Sequence, residues 1–287
     1  MVENKAHKDY IMTHMVHQKG LAMILSIQSN VMHGYVGNRA SLPLYQAFGI
    51  ETDHLDTVRL AAHPGHGTTA RDVLDGKMMG ALFDDYLRLP DTEQPSAIHI
   101  GYFGALEQVL QTANFVTALK ARYKGLILLL DPVFGDNGRR YISDDIINAV
   151  ISHLLPLADI ITPNQFELEV LSDMTIRNQS DARNALSKIG ATTTRTIMAT
   201  GIQDGTSICD MLYTDGMISE QRARLREKGV SGSGDAFAAL FLSHIIKGDT
   251  AQAALNAASA LTHHMIAQSK SPLTLNIASG LSVISKS

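Results

Sequence analysis

Ser231-Gly232-Ser233-Gly234-Asp235 brings together residue types that can do chemistry jointly. It runs straight into Ala236-Phe237-Ala238-Ala239-Leu240-Phe241-Leu242, an apolar stretch that reads as a buried helix. Glycines at such a junction let backbone N–H groups converge on one point. The helix N-terminus adds partial positive charge there, and a phosphate fits. Asp235 falls in the first helical turn, where a carboxylate can take the proton of a hydroxyl attacking that phosphate. The chemistry indicated is phosphoryl transfer without a Walker loop. A glycine–serine turn with a helix-start carboxylate accounts for the same letters equally well, so the surrounding elements must decide.

Those elements alternate. Strand-like runs stand at 22–27, 57–60, 97–100, 126–130, 158–161 and 196–199, and helical segments at 39–48, 70–87, 105–123, 143–154, 165–172, 179–189, 234–247 and 250–267. The polar, glycine-containing stretch from Gln28 to Asn38 and the His63-Pro64-Gly65-His66-Gly67 segment read as loops. Asp215-Gly216 between apolar pairs signals a hairpin within 206–219. Strand–helix alternation with fully apolar strands predicts a mainly parallel sheet, helices on both faces and a short hairpin elaboration. No linker or repeat divides the chain, so residues 22–287 read as one domain. Residues 1–21 lack the apolar stretch of a signal peptide and read as a flexible extension.

The ends of the strands are polar in a consistent way, and open α/β sheets bind ligands beyond the carboxyl ends of their strands. Ser29 follows the first strand. Asp131 ends the 126–130 run, with Asp136 in the same loop. Thr162, Asn164 and Glu167 follow the 158–161 run, and Thr200 ends the next. Oxygen ligands of this kind suit Mg²⁺ bridging nucleotide phosphates. Each residue also has a local explanation. Asp136-Asn137-Gly138 makes a turn unaided, and Asn164 with Glu167 can cap the helix over 165–172.

Composition narrows the classes. The chain has 287 residues, 45% hydrophobic and 18% charged, with net charge −4. That balance speaks against a dedicated nucleic-acid binder, whose affinity comes from basic surface. No run approaches the ~18 apolar residues of a membrane span. The single cysteine, Cys209, cannot form an internal disulfide; it fits a reducing, cytoplasmic setting and reads as a small core residue.

Three stretches together resemble the pyridoxal kinase family, within the ribokinase-like superfamily. The first is Leu25-Ser26-Ile27-Gln28-Ser29, continued by Gly34-Tyr35-Val36-Gly37-Asn38-Arg39-Ala40. The second is Asp131-Pro132-Val133 with Gly135-Asp136, then Pro156 through Glu167. The third is Gly232-Ser233-Gly234-Asp235. The resemblance implies a three-layer α/β fold and transfer of the γ-phosphate of ATP to the 5′-hydroxymethyl of pyridoxal, with pyridoxine and pyridoxamine as related substrates. By position it makes Asp235 the base and Gly232, Ser233 and Gly234 the anion hole. It assigns Ser29 to the pyridine ring, and Val36, Val58, His63, Pro64 and Tyr102 to the ring pocket. Asp136, Asn164, Glu167, Thr200 and Ser231, with Gly232 and Ser233, fall on the ATP side. Asp131, Asp136, Thr162, Glu167 and Thr200 fall at cations: Mg²⁺ and a monovalent ion such as K⁺. It also implies a homodimer.

One segment departs from the family, which commonly reads Ser-Asn-His-Thr where this chain has Ala61-Ala62-His63-Pro64. Proline offers neither a hydroxyl nor a backbone N–H. The basic run around Arg222–Lys228 falls where the family covers the adenine; a solvated charged segment explains it equally. A kinase for another ring alcohol such as hydroxymethylpyrimidine, and a non-catalytic vitamin B6 binding module, stay open at this point. The 28–38 loop lacks the Gly-x-Gly-x-x-Gly spacing of a dinucleotide site.

Overall fold

Ile127–Leu130 is apolar at every position and so has no polar face to give to water. It becomes the middle strand of a nine-stranded sheet, with all four side chains buried. The computed structural model describes residues 22–90, 94–136, 138–191, 195–224 and 229–286. The expected extension over 1–21, and residues 225–228 of the basic run, lie outside the described residues.

In chain order the strands are β1 (Met23–His33), β2 (Glu51–Ala62), β3 (Arg71–Val73), β4 (Ala97–Ile100), β5 (Ile127–Leu130), β6 (Gly135–Asp136), β7 (Arg139–Arg140), β8 (Ile160–Ile161), β9 (Thr196–Asp204), β10 (Ser207–Thr214) and β11 (Met217–Arg224). The helices are α1 (Asn38–Ala47), α2 (Gly76–Tyr86), α3 (Leu106–Arg122), α4 (Asp144–Ala149), α5 (Gln165–Ser172), α6 (Gln179–Gly190), α7 (Ser233–Ile246), α8 (Ala251–Gln268) and α9 (Ile277–Ile284). The sheet order is β11-β10-β9-β8-β5-β4-β1-β2-β3, and β6 with β7 forms a separate hairpin. From β2 to β9 neighbours are parallel; β3, β10 and β11 add antiparallel edges.

Alternation along the strands sorts side chains into two cores. Leu25, Ile98 and Leu128 face the layer containing Phe83 of α2, Phe115 of α3, Leu168 of α5 and Leu186 of α6. Ile24, Ala97 and Ile127 face the layer containing Leu44 of α1, Phe237 of α7, Leu255 of α8 and Ile277 of α9. Helix α7 is apolar almost all round because it packs between the sheet, α1 and α8.

The expected parallel, three-layer architecture is present, and three local expectations need correction. The polar stretch after residue 27 is not all loop. β1 continues to His33 because β2 runs beside it, pairing Asn30 with Arg59 and His33 with Ala62. The segment expected as one helix near 70–87 holds β3 first, and Asp75 then caps α2 by accepting from the N–H groups of Lys77 and Met78. The hairpin at Asp215-Gly216, both residues at positive φ, is longer than expected and extends the main sheet as β10–β11. Helix α9 has no counterpart in the sequence reading; Asn276 caps it.

Candidate active site

β1 leads to β2 on one side, and the chain then crosses to β4 on the other. Strand order therefore reverses at β1/β4, where ligand crevices form in such sheets. Asn38 fixes the start of α1 at this crevice. Its Oδ1 accepts from Ser26 Oγ at 2.7 Å, and its Nδ2 donates to Asp56 Oδ1 at 2.8 Å. Gly37, at φ 54°, is thereby pressed against β1: a Cβ on it would stand 2.1 Å from the Ser29 carbonyl oxygen. Its N–H favours the ionised form of the Asp235 carboxylate.

Asp235 lies in the first turn of α7, as expected. Gly232 precedes the helix at φ 90°, and a Cβ there would stand 1.8 Å from the Tyr35 carbonyl oxygen, so this approach requires glycine. The expected anion hole is only partly free. The Ser233 N–H is spent on the Val230 carbonyl at 3.1 Å. The amides of Gly232 and Gly234 make no such bond among the described residues. Burial pushes the Asp235 carboxyl up to about 6, against the stabilising N–H of Gly37. It is therefore ionised at neutral pH and more basic than an ordinary aspartate.

The ring-pocket residues converge through a register break. Gln28 pairs with Asp56 and Asn30 with Arg59, so Ser29 alone faces Thr57 and Val58. Thr57 Oγ1 donates to the Tyr102 carbonyl at 2.6 Å, and Val58 packs on Gly104. Val36 lies beside Gly232. Ser29 thus stands against Gly37 and Val36 against Gly232, with Val58 and the Tyr102 backbone on the elements next to Ser29. His63 and Pro64 follow the end of β2. Pro64 is exposed at the start of a short 3₁₀ turn, and His63 Nδ1 accepts from the Gly65 N–H at 3.1 Å. The rings of His66 and His33 meet edge to face, 5.4 Å apart.

Asp235 also acts electrostatically on a group of carboxylates through Asp131. Asn164 and Glu167 do form a capping box on α5, so the local explanation holds. Glu167 also accepts from the Phe134 N–H at 2.9 Å, and Asn164 Nδ2 donates to the Gly135 carbonyl at 2.8 Å. The cap therefore also anchors the loop leading to the exposed Asp136. Burial pushes the Glu167 carboxyl up to about 8, opposed by its backbone N–H partners and reinforced by Asp136. Burial, then Glu167 and Asp235, raise Asp131 well above its ordinary value. Thr162 opposes that rise, yet its buried Oγ1 makes no well-formed hydrogen bond. Thr200 pairs with Asn164 and donates its N–H to the Pro163 carbonyl at 2.9 Å. The Ser231 N–H is spent on the Pro272 carbonyl, at 2.9 Å.

Oxygen donors with mutually raised proton affinity and an unpartnered buried hydroxyl fit a cation, which would relieve the repulsion. Among the described residues, no three His, Cys, Asp or Glu side chains converge on one ion. A Mg²⁺ ion would therefore sit here mainly through water and phosphate oxygens, as Mg²⁺ prefers.

The sequence reading missed the polar layer beneath the site. Gln28 Nε2 bonds Ser26, Ser41 and His99, and Tyr45 bonds the same His99 nitrogen at 2.8 Å. Burial lowers His99 to about 3, so it stays neutral. The available signal was buried polar residues within two apolar strands: Ser26 and Gln28 on β1, His99 on β4. Arg222, from the basic run, is engaged by Glu220 and Asp204 on the β11 side.

A three-layer parallel sheet, with a buried aspartate and a glycine-flanked helix start at its switch point, has the architecture of a small-molecule kinase of ribokinase-like fold. The phosphomethylpyrimidine kinase family model matches residues 86–278. The pyridoxal kinase of Ovis aries is 32% identical over 238 residues, 77% of this chain and 76% of that one. The pyridoxal kinase of Entamoeba histolytica superposes with a TM-score of 0.87 at 25% identity, covering 92% of this chain and 95% of that one. The pyridoxal kinase of Leishmania donovani, solved with ADP and pyridoxamine, superposes with a TM-score of 0.81 at 26% identity over 91% and 95%. The chain belongs to the pyridoxal kinase family. No helix among the described residues is long and apolar enough to cross a membrane.

Proposed function

We propose that this protein transfers the γ-phosphoryl group of ATP to the 5′-hydroxymethyl of pyridoxal, and accepts pyridoxine and pyridoxamine as related substrates. The observation that carries the reading is the position of Asp235. It lies in the first turn of α7 against the Gly37 N–H, the glycine that is pressed onto Ser29, and it raises the proton affinity of Asp131. ADP and a vitamin B6 vitamer in the Leishmania donovani relative support the same pair of ligands here.

In this reading Ser29 orients the pyridine ring, and Val36, Val58 and Tyr102 hold it. The vitamer hydroxyl oxygen attacks the γ-phosphorus as Asp235 takes its proton. The bond from phosphorus to the β–γ bridging oxygen breaks, and ADP leaves. The amides of Gly232 and Gly234 and the N-terminus of α7 stabilise charge on the transferring group. When bound, Mg²⁺ neutralises phosphate charge; Asp131, Asp136 and Glu167 would hold it, with Asn164 and Thr200 beside the nucleotide. Asp131, Thr162 and Thr200 would hold a monovalent cation such as K⁺. The reading includes a homodimer, a cytoplasmic location and a single kinase domain over 22–287.

The test is ATP-dependent phosphorylation assayed across pyridoxal, pyridoxine, pyridoxamine and hydroxymethylpyrimidine. Pyridoxal is expected to give the highest kcat/KM. Preference for hydroxymethylpyrimidine, or no turnover of any, would overturn the reading.

A further inference from the structure

β9 and β10 are antiparallel neighbours whose register breaks once. Cys209 pairs with Ile202, and Met211 pairs with Ala199. Asp210 therefore faces two residues, Thr200 and Gly201, in a β-bulge, a device that re-aims side chains beside active sites. Gly201 has φ +69°, and a Cβ on it would meet only Ile208 Cδ1, at 3.9 Å. Backbone conformation rather than space is what requires glycine there.

Asp210 is buried, with 4% of its surface exposed. Its Oδ1 accepts from the Gly201 N–H at 3.0 Å, and its Oδ2 accepts from Ser259 Oγ at 2.6 Å. His263 Nε2 lies 3.8 Å from that second oxygen. Ser259 and His263 are one turn apart on α8, so the carboxylate ties α8 to the bulge. Burying a carboxylate is costly unless its oxygens are satisfied. Here one of those bonds holds the single amide that defines the bulge. The other bulge residue, Thr200, is already locked to Pro163 and Asn164.

We propose that Asp210 is a positioning residue for nucleotide binding, fixing the Thr200–Gly201 bulge against Asn164 through the Gly201 N–H. The inference rests on the nucleotide-side reading of Thr200 and Asn164 above. Asp210 touches neither substrate in this account.

The experiment compares wild type, Asp210→Ala, Asp210→Asn and Gly201→Ala, measuring ADP affinity by calorimetry and KM for ATP and pyridoxal separately. Asp210→Ala should weaken ADP and raise KM for ATP by about tenfold or more, the loss expected for a charge-assisted bond. KM for pyridoxal should stay within about twofold. Asp210→Asn should recover most of the loss, because its Oδ1 still accepts from Gly201. Equal rises in both KM values, or unchanged ADP affinity, would overturn the proposal. If Asp210→Ala does not fold, Gly201→Ala, which meets no steric obstacle, should show the same ADP-selective loss; wild-type ADP affinity there overturns the proposal as well. Should wild type fail to phosphorylate pyridoxal while the variants still lose ADP, the activity reading falls and the positioning role stands. Should wild type phosphorylate pyridoxal while both Ala variants bind ADP normally, the positioning role falls alone.

Discussion

Gly37 sits against Ser29 so closely that the two cannot admit a side chain between them: a Cβ on Gly37 would stand 2.1 Å from the Ser29 carbonyl oxygen. The N–H of the same glycine favours the ionised form of Asp235. One backbone position therefore sets the spacing between the ring pocket and the proposed base.

Gly37→Ala should consequently damage turnover beyond its cost in stability. Alanine at φ 54°, ψ −135°, outside the left-handed helical well, costs about 1–3 kcal/mol by itself. Gly49 is the control, since it has φ +65° and open space around its Cβ position. Gly49→Ala should lower Tm by a few degrees and leave kcat near wild type. Gly37→Ala should lower Tm further and cut kcat by at least about tenfold, because the base shifts with the backbone. Equal kcat in the two variants would show that the close approach is not needed for catalysis.

Asp235→Asn keeps the shape and removes the basicity. It should reduce kcat by about 10²–10⁴-fold while both substrates still bind. In wild type, the acid limb of kcat/KM should fall near pH 6, because burial raises this carboxyl to about 6 and the protonated form cannot accept the hydroxyl proton. A variant with near-normal kcat would remove Asp235 from the base role, and an acid limb near pH 4 would contradict the buried, raised carboxyl.

The carboxylates give a stability signature with a definite sign. The Glu167 carboxyl is raised to about 8 and Asp131 is raised as well, both first by burial. A raised folded pKa contributes stability that is fully present below the unfolded value, 4.5 for glutamate, and is lost as pH rises through about 8. Tm of the metal-free protein should therefore decline between about pH 5 and about pH 8. Added Mg²⁺ favours the ionised forms and should raise Tm more at the alkaline end than at the acid end. Glu167→Ala should shrink that difference and weaken apparent Mg²⁺ and ATP use more than vitamer binding. A Mg²⁺ effect independent of pH would separate the metal from these groups.

Pro64→Thr introduces the hydroxyl that the family commonly carries at this position. One neutral hydrogen bond is worth about 1 kcal/mol, so kcat/KM for pyridoxal should improve within about tenfold. Lower pyridoxal turnover with unchanged ATP binding would instead show a pocket adapted to proline, with His63 and His66 part of that adaptation.

The parallel core and the helix start at Asp235 were legible because both are local. Four apolar residues at Ile127–Leu130, short and followed by Asp131-Pro132, read as a buried strand, and Gly232-Ser233-Gly234-Asp235 ahead of an apolar run reads as a helix start. Convergence was not local. Ser29 meets Val58, and Thr200 with Gly201 meets Asp210, through register breaks that depend on how two strands pair; neither strand's own pattern records them. The continuation of β1 to His33 was hidden for the same reason, since polar residues there are held by β2 rather than by their own propensity. Asn164 and Glu167 show the limit from the other side. Their spacing predicted a cap, and they form one, but only the fold sets that cap beside Asp131 and gives the buried carboxylate its raised proton affinity. The sequence by itself determined which residues could act. Strand register and the close backbone approaches of Gly37 and Gly232 decided which of them stand together, because those contacts join segments far apart in the chain.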